Sequence, residues 1–342
     1  MDMNWNRQEA SMKTSDANHS MVRHAIALAL LLASFSASGQ AKAECLPASP
    51  VNDTTVTCTG VTVNQNIVSG YGSLSDTGNT YNILPGASVT GSSEGLSFTS
   101  GTVNNSGTIV GTDALGIRGS ARINNIGTIT GQDFGINSLS IDTIDNAGFI
   151  LGGQTAIFFG NGTANIRNSG TIAAGPLGFG IAGVTLNLEN SGTISTTAGG
   201  AVRATNAKID NSGVISADLG NGVGISVSAA TTVNNTRSGI IVGGAVGIFA
   251  GNAQINNAGT ISGRIGIEAN FAGFGTAITN SGTIIGTGGT AVRLTGAADT
   301  LTLLTGSRVV GTVDMGGGND TVNILVTGSN TRVSSSFSVA VP

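Results

Sequence analysis

Histidine is nearly missing from this chain, and the little there is lies at the start. His19 and His24 are the only two among 342 residues, and the single tryptophan, Trp5, precedes them. Past residue 43 there is no His, no Trp and one lysine, Lys208. A Ser-His-Asp or Cys-His catalytic arrangement is therefore excluded from that stretch, as are zinc sites built on imidazole. Charge is also scarce. Only 9% of residues are Asp, Glu, Lys or Arg, and the formal net charge is −4. No basic stripe is present to neutralise phosphates, so nucleic acid is not an expected partner. A disordered tail needs low hydrophobicity and high net charge. This chain is 39% hydrophobic, which points to a folded one.

What is abundant is glycine, 54 residues, together with Ile, Val, Leu and Ala. The N-terminus reads as an export signal. Arg23 and His24 precede the apolar run "AIALALLLASF" (Ala25–Phe35). That run is too short to span a bilayer. "AKA" (Ala41–Ala43) supplies the small residues of a signal-peptide cleavage site. Cleavage between Ala43 and Glu44 would leave Glu44 as the first mature residue. The two cysteines, Cys45 and Cys58, follow at once. In an oxidising compartment a Cys45–Cys58 disulfide is the default expectation.

One phrase recurs: "NNSGTI" from Asn104, "NNIGTI" from Asn124, "DNAGFI" from Asp145, "RNSGTI" from Arg167, "ENSGTI" from Glu189. "DNSGVI" from Asp210, "NNAGTI" from Asn256 and "TNSGTI" from Thr279 continue it. Its glycines fall at Gly107, Gly127, Gly148, Gly170, Gly192, Gly213, Gly239, Gly259 and Gly282, 20 to 26 residues apart. Such periods mark a solenoid. No apolar stripe of 3.6-residue period supports helical repeats. Each unit carries three apolar marks, exemplified by Ile166 before the phrase, Ile172 at its end and Ile181 at mid-unit.

Three short strands per unit, each sending an Ile or Val inward, describe a parallel β-helix. Its repeat is about 22 residues, and stacking neighbours bury what one coil cannot. The phrase is then a corner. Asn and Gly are expected there because both tolerate left-handed backbone angles. Stacking would align Asn105, Asn125, Asn146, Asn168, Asn190, Asn211, Asn257 and Asn280 into a ladder of amide hydrogen bonds. The variable first letter is expected to face water.

The signal, the early cysteine pair and the "NSGTI"-type coils together resemble the passenger domain of a type V autotransporter of a Gram-negative bacterium. So does the stretch "GTAVRLTGAADTLTLLTGSRVVGTVDMGGGNDTVNIL" (Gly289–Leu325). The resemblance implies a pertactin-like right-handed parallel β-helix, all-β, acting as a surface-displayed or secreted structural and adhesive module without catalysis. It divides the chain into a signal segment (1–43), an N-terminal cap with the first coils (44–100), β-helix repeats (101–325) and a tail (326–342). The partners implied are ligands on host or neighbouring cells and a C-terminal translocator β-barrel. No barrel strands are read before Pro342, and the last coil offers an edge for self-association. Cell-surface, outer-membrane or secreted localisation is expected where a barrel is supplied, and periplasmic localisation where it is not. No cofactor is implied. The alternative is a polysaccharide-acting lyase or hydrolase on the same scaffold, which would gather acids and arginines on one strand face.

Two smaller signals remain. "MGGGNDTV" (Met315–Val322) is similar to glycine-rich calcium-binding repeats, which makes Asn319 and Asp320 candidate ligands. A single copy, one glycine short, reads as a turn before it reads as an ion site. Phe134, Phe179, Phe249, Phe271 and Phe274 lie near mid-unit and are expected in the core. Tyr71 and Tyr81 are assigned to the cap.

Overall fold

A computed structural model describes residues 44–269 and 275–325. The signal segment with Ala43, the tail 326–342, Phe271 and Phe274 lie outside the described residues. The described chain is all-β, a parallel β-solenoid of about 12 coils with turns of about 22 residues. Its strands form one continuous sheet in which the strands of the inner coils pair in parallel with their equivalents one coil below and one coil above.

Each coil uses two strands more often than three. A four-residue strand such as Thr193–Thr196 follows the corner, and a long strand such as Gly200–Asn211 carries both remaining inward marks. The long strand bends where its register against Val223–Asn235 shifts, between Ala204 and Ala207. The coil of Thr155–Asn161 and Thr163–Asn168 breaks at this bend, at Gly162, whose φ is 76°, and the last coils carry the two marks on separate strands, such as Thr283–Arg293 and Thr300–Leu304.

The inward marks stack in register. Leu188 pairs with Ile209, which pairs with Val233, and that pairs with Ile255. Ile172, Ile194 and Ile215 form the second column, and Ile181, Val202 and Ile225 the third. All of these are buried. Full burial of one such side chain contributes about 1.5–3 kcal/mol.

The core aromatics differ from those expected. Phe98 and Phe159 are buried, whereas Phe134, Phe179 and Phe249 are half-buried on the outer surface. Phe98 fills the space beside Gly119, and Phe159 that beside Gly183, where a side chain on either glycine would meet the ring within 2.5 Å. In "IFFG" the pleat decides: Phe158 points out and Phe159 in.

At the N-terminal end the chain from Cys45 crosses the first coil. Cys45–Leu46 pairs antiparallel with Thr55–Cys58, and Cys45 and Cys58 are disulfide-bonded and buried. Beneath them lie Tyr71, Tyr81 and Phe98, with Tyr81 stacked on Phe98 at 4.8 Å. The Tyr71 hydroxyl donates to the Pro47 carbonyl at 2.6 Å. Burial pushes the Tyr81 phenol up to about 12.

Candidate functional site

The corner is built by an amide ladder. The Nδ2 of Asn105 donates to the Oδ1 of Asn125 at 2.7 Å, and the same bond repeats to Asn146, Asn168 and Asn190 at 2.7–2.8 Å. It continues to Asn211, Asn235, Asn257 and Asn280 at 2.7–2.8 Å. All these side chains are 0–2% exposed. Every bond points the same way along the stack, which lets neighbouring amide dipoles reinforce one another.

Asn235 is a rung that the phrase spacing conceals. Two extra residues lie between it and Gly239, and the structure places Thr236, Arg237 and Ser238 in an exposed bulge. The Asn235 amide reaches the Gly239 carbonyl at 3.1 Å, where other rungs reach the glycine two residues on.

The corner glycines do not serve the purpose expected of them. None of the phrase glycines has a positive φ. A Cβ on Gly192 would sit 2.1 Å from the Gly170 carbonyl oxygen, and one on Gly213 would sit 2.1 Å from that of Gly192. The requirement is close stacking of backbone on backbone, not a left-handed turn.

Outside the corner, the variable first letters form a second column. Asn124 donates to Asn104 at 2.7 Å, and Asn256 to Asn234 and Asn234 to Asp210 at 2.8 and 2.6 Å. Between these runs, Arg167 bridges Asp145 at 3.4 Å and Glu189 at 3.3 Å. The position therefore faces water, as expected, but it is tied from coil to coil. Asp145, Arg167, Glu189 and Asp210 line a groove of about 560 Å3 along the corner. On the same outer face a second groove, of about 520 Å3, is lined by Asn187, Asn206, Lys208, Thr232, Asn252 and Gln254 among others.

The mid-unit face has another character. Arg203, Ser226, Phe249, Glu268 and Arg293 fall in one register column. Arg203 lies over the Phe179 ring at 5.1 Å, and Phe134 packs on Phe158 at 5.8 Å. Arg118 pairs with Glu94, and Arg293 with Glu268.

Of the remaining candidates, Glu44 is exposed at the first described position and Asn319 is exposed in the last turn. Asp320 accepts a hydrogen bond from the Asp299 backbone N–H at 2.9 Å. Among the described residues, no group of three or more His, Cys, Asp or Glu is placed to hold a metal.

No family model matches this chain, and neither a curated protein nor a solved structure matches it. The fold alone defines the class: a parallel β-solenoid protein.

Proposed function

We propose that this chain is the passenger of an autotransporter-type system, exported by its N-terminal signal and displayed at the cell surface, where it binds an extended ligand on a host or neighbouring cell. The observation that carries the adhesive reading is the polar outer face. Two grooves follow it, in which Asn, Thr and acidic side chains recur from coil to coil, joined by Lys208 and Gln254. A repeat of about 4.8 Å suits a polymer that offers hydroxyl or amide groups at regular intervals. The translocating partner is a C-terminal β-barrel, in the same polypeptide or supplied separately.

Binding of the purified chain to cell-surface glycans and intact cells tests this reading. Replacing Asn187, Lys208 and Gln254 together by Ala should abolish binding and leave the unfolding midpoint within error. Undiminished binding would remove this face from the interaction.

One observation favours a second reading, a polysaccharide-acting enzyme. Asp145 and Glu189 bridge to Arg167, and Asp210 lines the same groove. The register sets Glu189 and Asp210 on successive coils, and a pair of neighbouring carboxylates is what glycoside hydrolysis requires. Release of oligosaccharide from surface polysaccharides, lost in Glu189→Gln and Asp210→Asn, would favour that enzyme over the adhesin.

A further inference from the structure

The C-terminal coils hold an oxygen cluster that the stacking logic does not explain. Thr276, Asp299 and Asp320 directly precede Ala277, Thr300 and Thr321, which pair in successive coils. The Thr276 backbone N–H donates to Asp299 Oδ1 at 2.5 Å, and that of Thr295 also points at this carboxylate. Asp299 and Thr276 are 1% and 2% exposed. Four buried side-chain oxygens lack a hydrogen-bond partner among the described residues, and three of them belong to this cluster: Asp299 Oδ2, Thr276 Oγ1 and Thr295 Oγ1. The fourth, Thr231 Oγ1, lies coils away. Such atoms are costly to leave unpaired, and one carboxylate oxygen together with the hydroxyls of the two threonines whose backbone N–H groups reach that carboxylate marks a place for a missing ligand.

We propose that Asp299, Asp320, Thr276 and Thr295 form a site for one calcium-like divalent cation that staples the last coils together. The unpaired atoms are all oxygens, the hard donors such an ion takes, and backbone carbonyls or waters complete its flexible shell. Asp299 and Asp320 supply two negative charges, and neither joins any ion pair among the described residues. Burial pushes the Asp299 carboxyl above the usual carboxylate range, and the Asp320 charge adds to this. An ionised Asp299 thus lacks a counter-charge. Magnesium fits less well, because it demands octahedral geometry and gives up its water reluctantly. The proposal is independent of the surface reading above, since the site faces the interior.

Calorimetric titration of chelator-treated protein with calcium chloride tests it, paired with thermal unfolding followed by circular dichroism. One ion per chain is expected, with an unfolding midpoint that rises with calcium concentration. Asp299→Asn should lower the affinity about tenfold or more. Should that variant fail to fold, Thr276→Val removes one hydroxyl, leaves the backbone N–H in place and should also weaken binding. Absence of heat and of any midpoint shift at millimolar calcium would overturn the proposal, as would unchanged binding in both variants. A proton or a buried water is the rival occupant. With the folded-state pKa raised, the native state binds the proton more tightly, so stability would grow as pH falls through that pKa. That gain, without a calcium response, would assign the site to the proton.

Discussion

Asn190→Ala tests the amide ladder at an interior rung. The Asn190 side chain accepts from Asn168 at 2.8 Å and donates to Asn211 at 2.8 Å, and its Nδ2 also approaches the Gly192 and Val214 carbonyls at 3.2 and 3.3 Å. Removing it deletes two ladder bonds, each contributing about 1 kcal/mol net. It also strips Asn211 Oδ1 of its ladder donor in a buried position, which costs about 1–3 kcal/mol more. Asn168 loses less, because its Nδ2 keeps the Gly170 and Thr193 carbonyls. The sum is a loss of roughly 3–5 kcal/mol, read as a lower urea midpoint with an unchanged slope. Asn190→Ala and Asn211→Ala share one bond, so the double variant should cost less than the two singles added. Ser191→Ala, one residue along, is the control. A loss below about 1 kcal/mol for Asn190→Ala, or strict additivity with Asn211→Ala, would refute a cooperative ladder.

Ile194→Asp should destabilise by several kcal/mol because it sets an unpaired charge in the apolar column. Glu189→Ala removes only one exposed ion-pair partner and should cost under about 0.5 kcal/mol, so equal midpoints in denaturant would reverse the inside and outside assignments. Gly192→Ala should cost more than Gly220→Ala, since the first meets a backbone oxygen at 2.1 Å and the second has a φ of 57° in open space. The opposite order of midpoints would restore the left-handed explanation. A fusion of this chain to a translocating barrel should become sensitive to protease added to intact cells, and continued protection would argue against surface display.

The periodic part of the fold was legible because one coil cannot vary without its neighbours. Ile172, Ile194 and Ile215 stand in one column, so the same residue type returns at each turn, and the phrase announces the column. Legibility failed where the spacing or the pleat changed. The bulge at Thr236–Ser238 hid Asn235. The pleat put Phe159 inside while Phe134, Phe179 and Phe249 remained outside, a choice that composition does not disclose. The corner glycines were recognised as corners but given the wrong cause, because a close approach between coils has no local signature. The outer cluster of Asp145, Arg167, Glu189 and Asp210 was invisible for the same reason. Residues about 22 apart become contacts only once the register is known, and a list of arginines along the chain looks scattered until then.

The two ends of the ladder show how this architecture remains finite. In the coil before Asn105 the equivalent position is Ile83, and in the coil after Asn280 it is Leu303. Both are buried. The first rung has no amide below it, and its Oδ1 instead accepts the Gly107 backbone N–H at 3.2 Å. The last rung has no acceptor above it, and its Nδ2 donates to the Gly282 carbonyl at 3.0 Å. The polar column is thus closed by local backbone bonds and covered by an apolar side chain before the solenoid itself ends. A buried amide left open at a terminal coil would seek another chain, much as an uncovered strand edge does. Closing the ladder inside the stack separates the repeat that stabilises the protein from the surfaces that meet a partner. The outer columns of Asn, Asp, Arg and Glu can then differ from coil to coil without disturbing the corner that holds them.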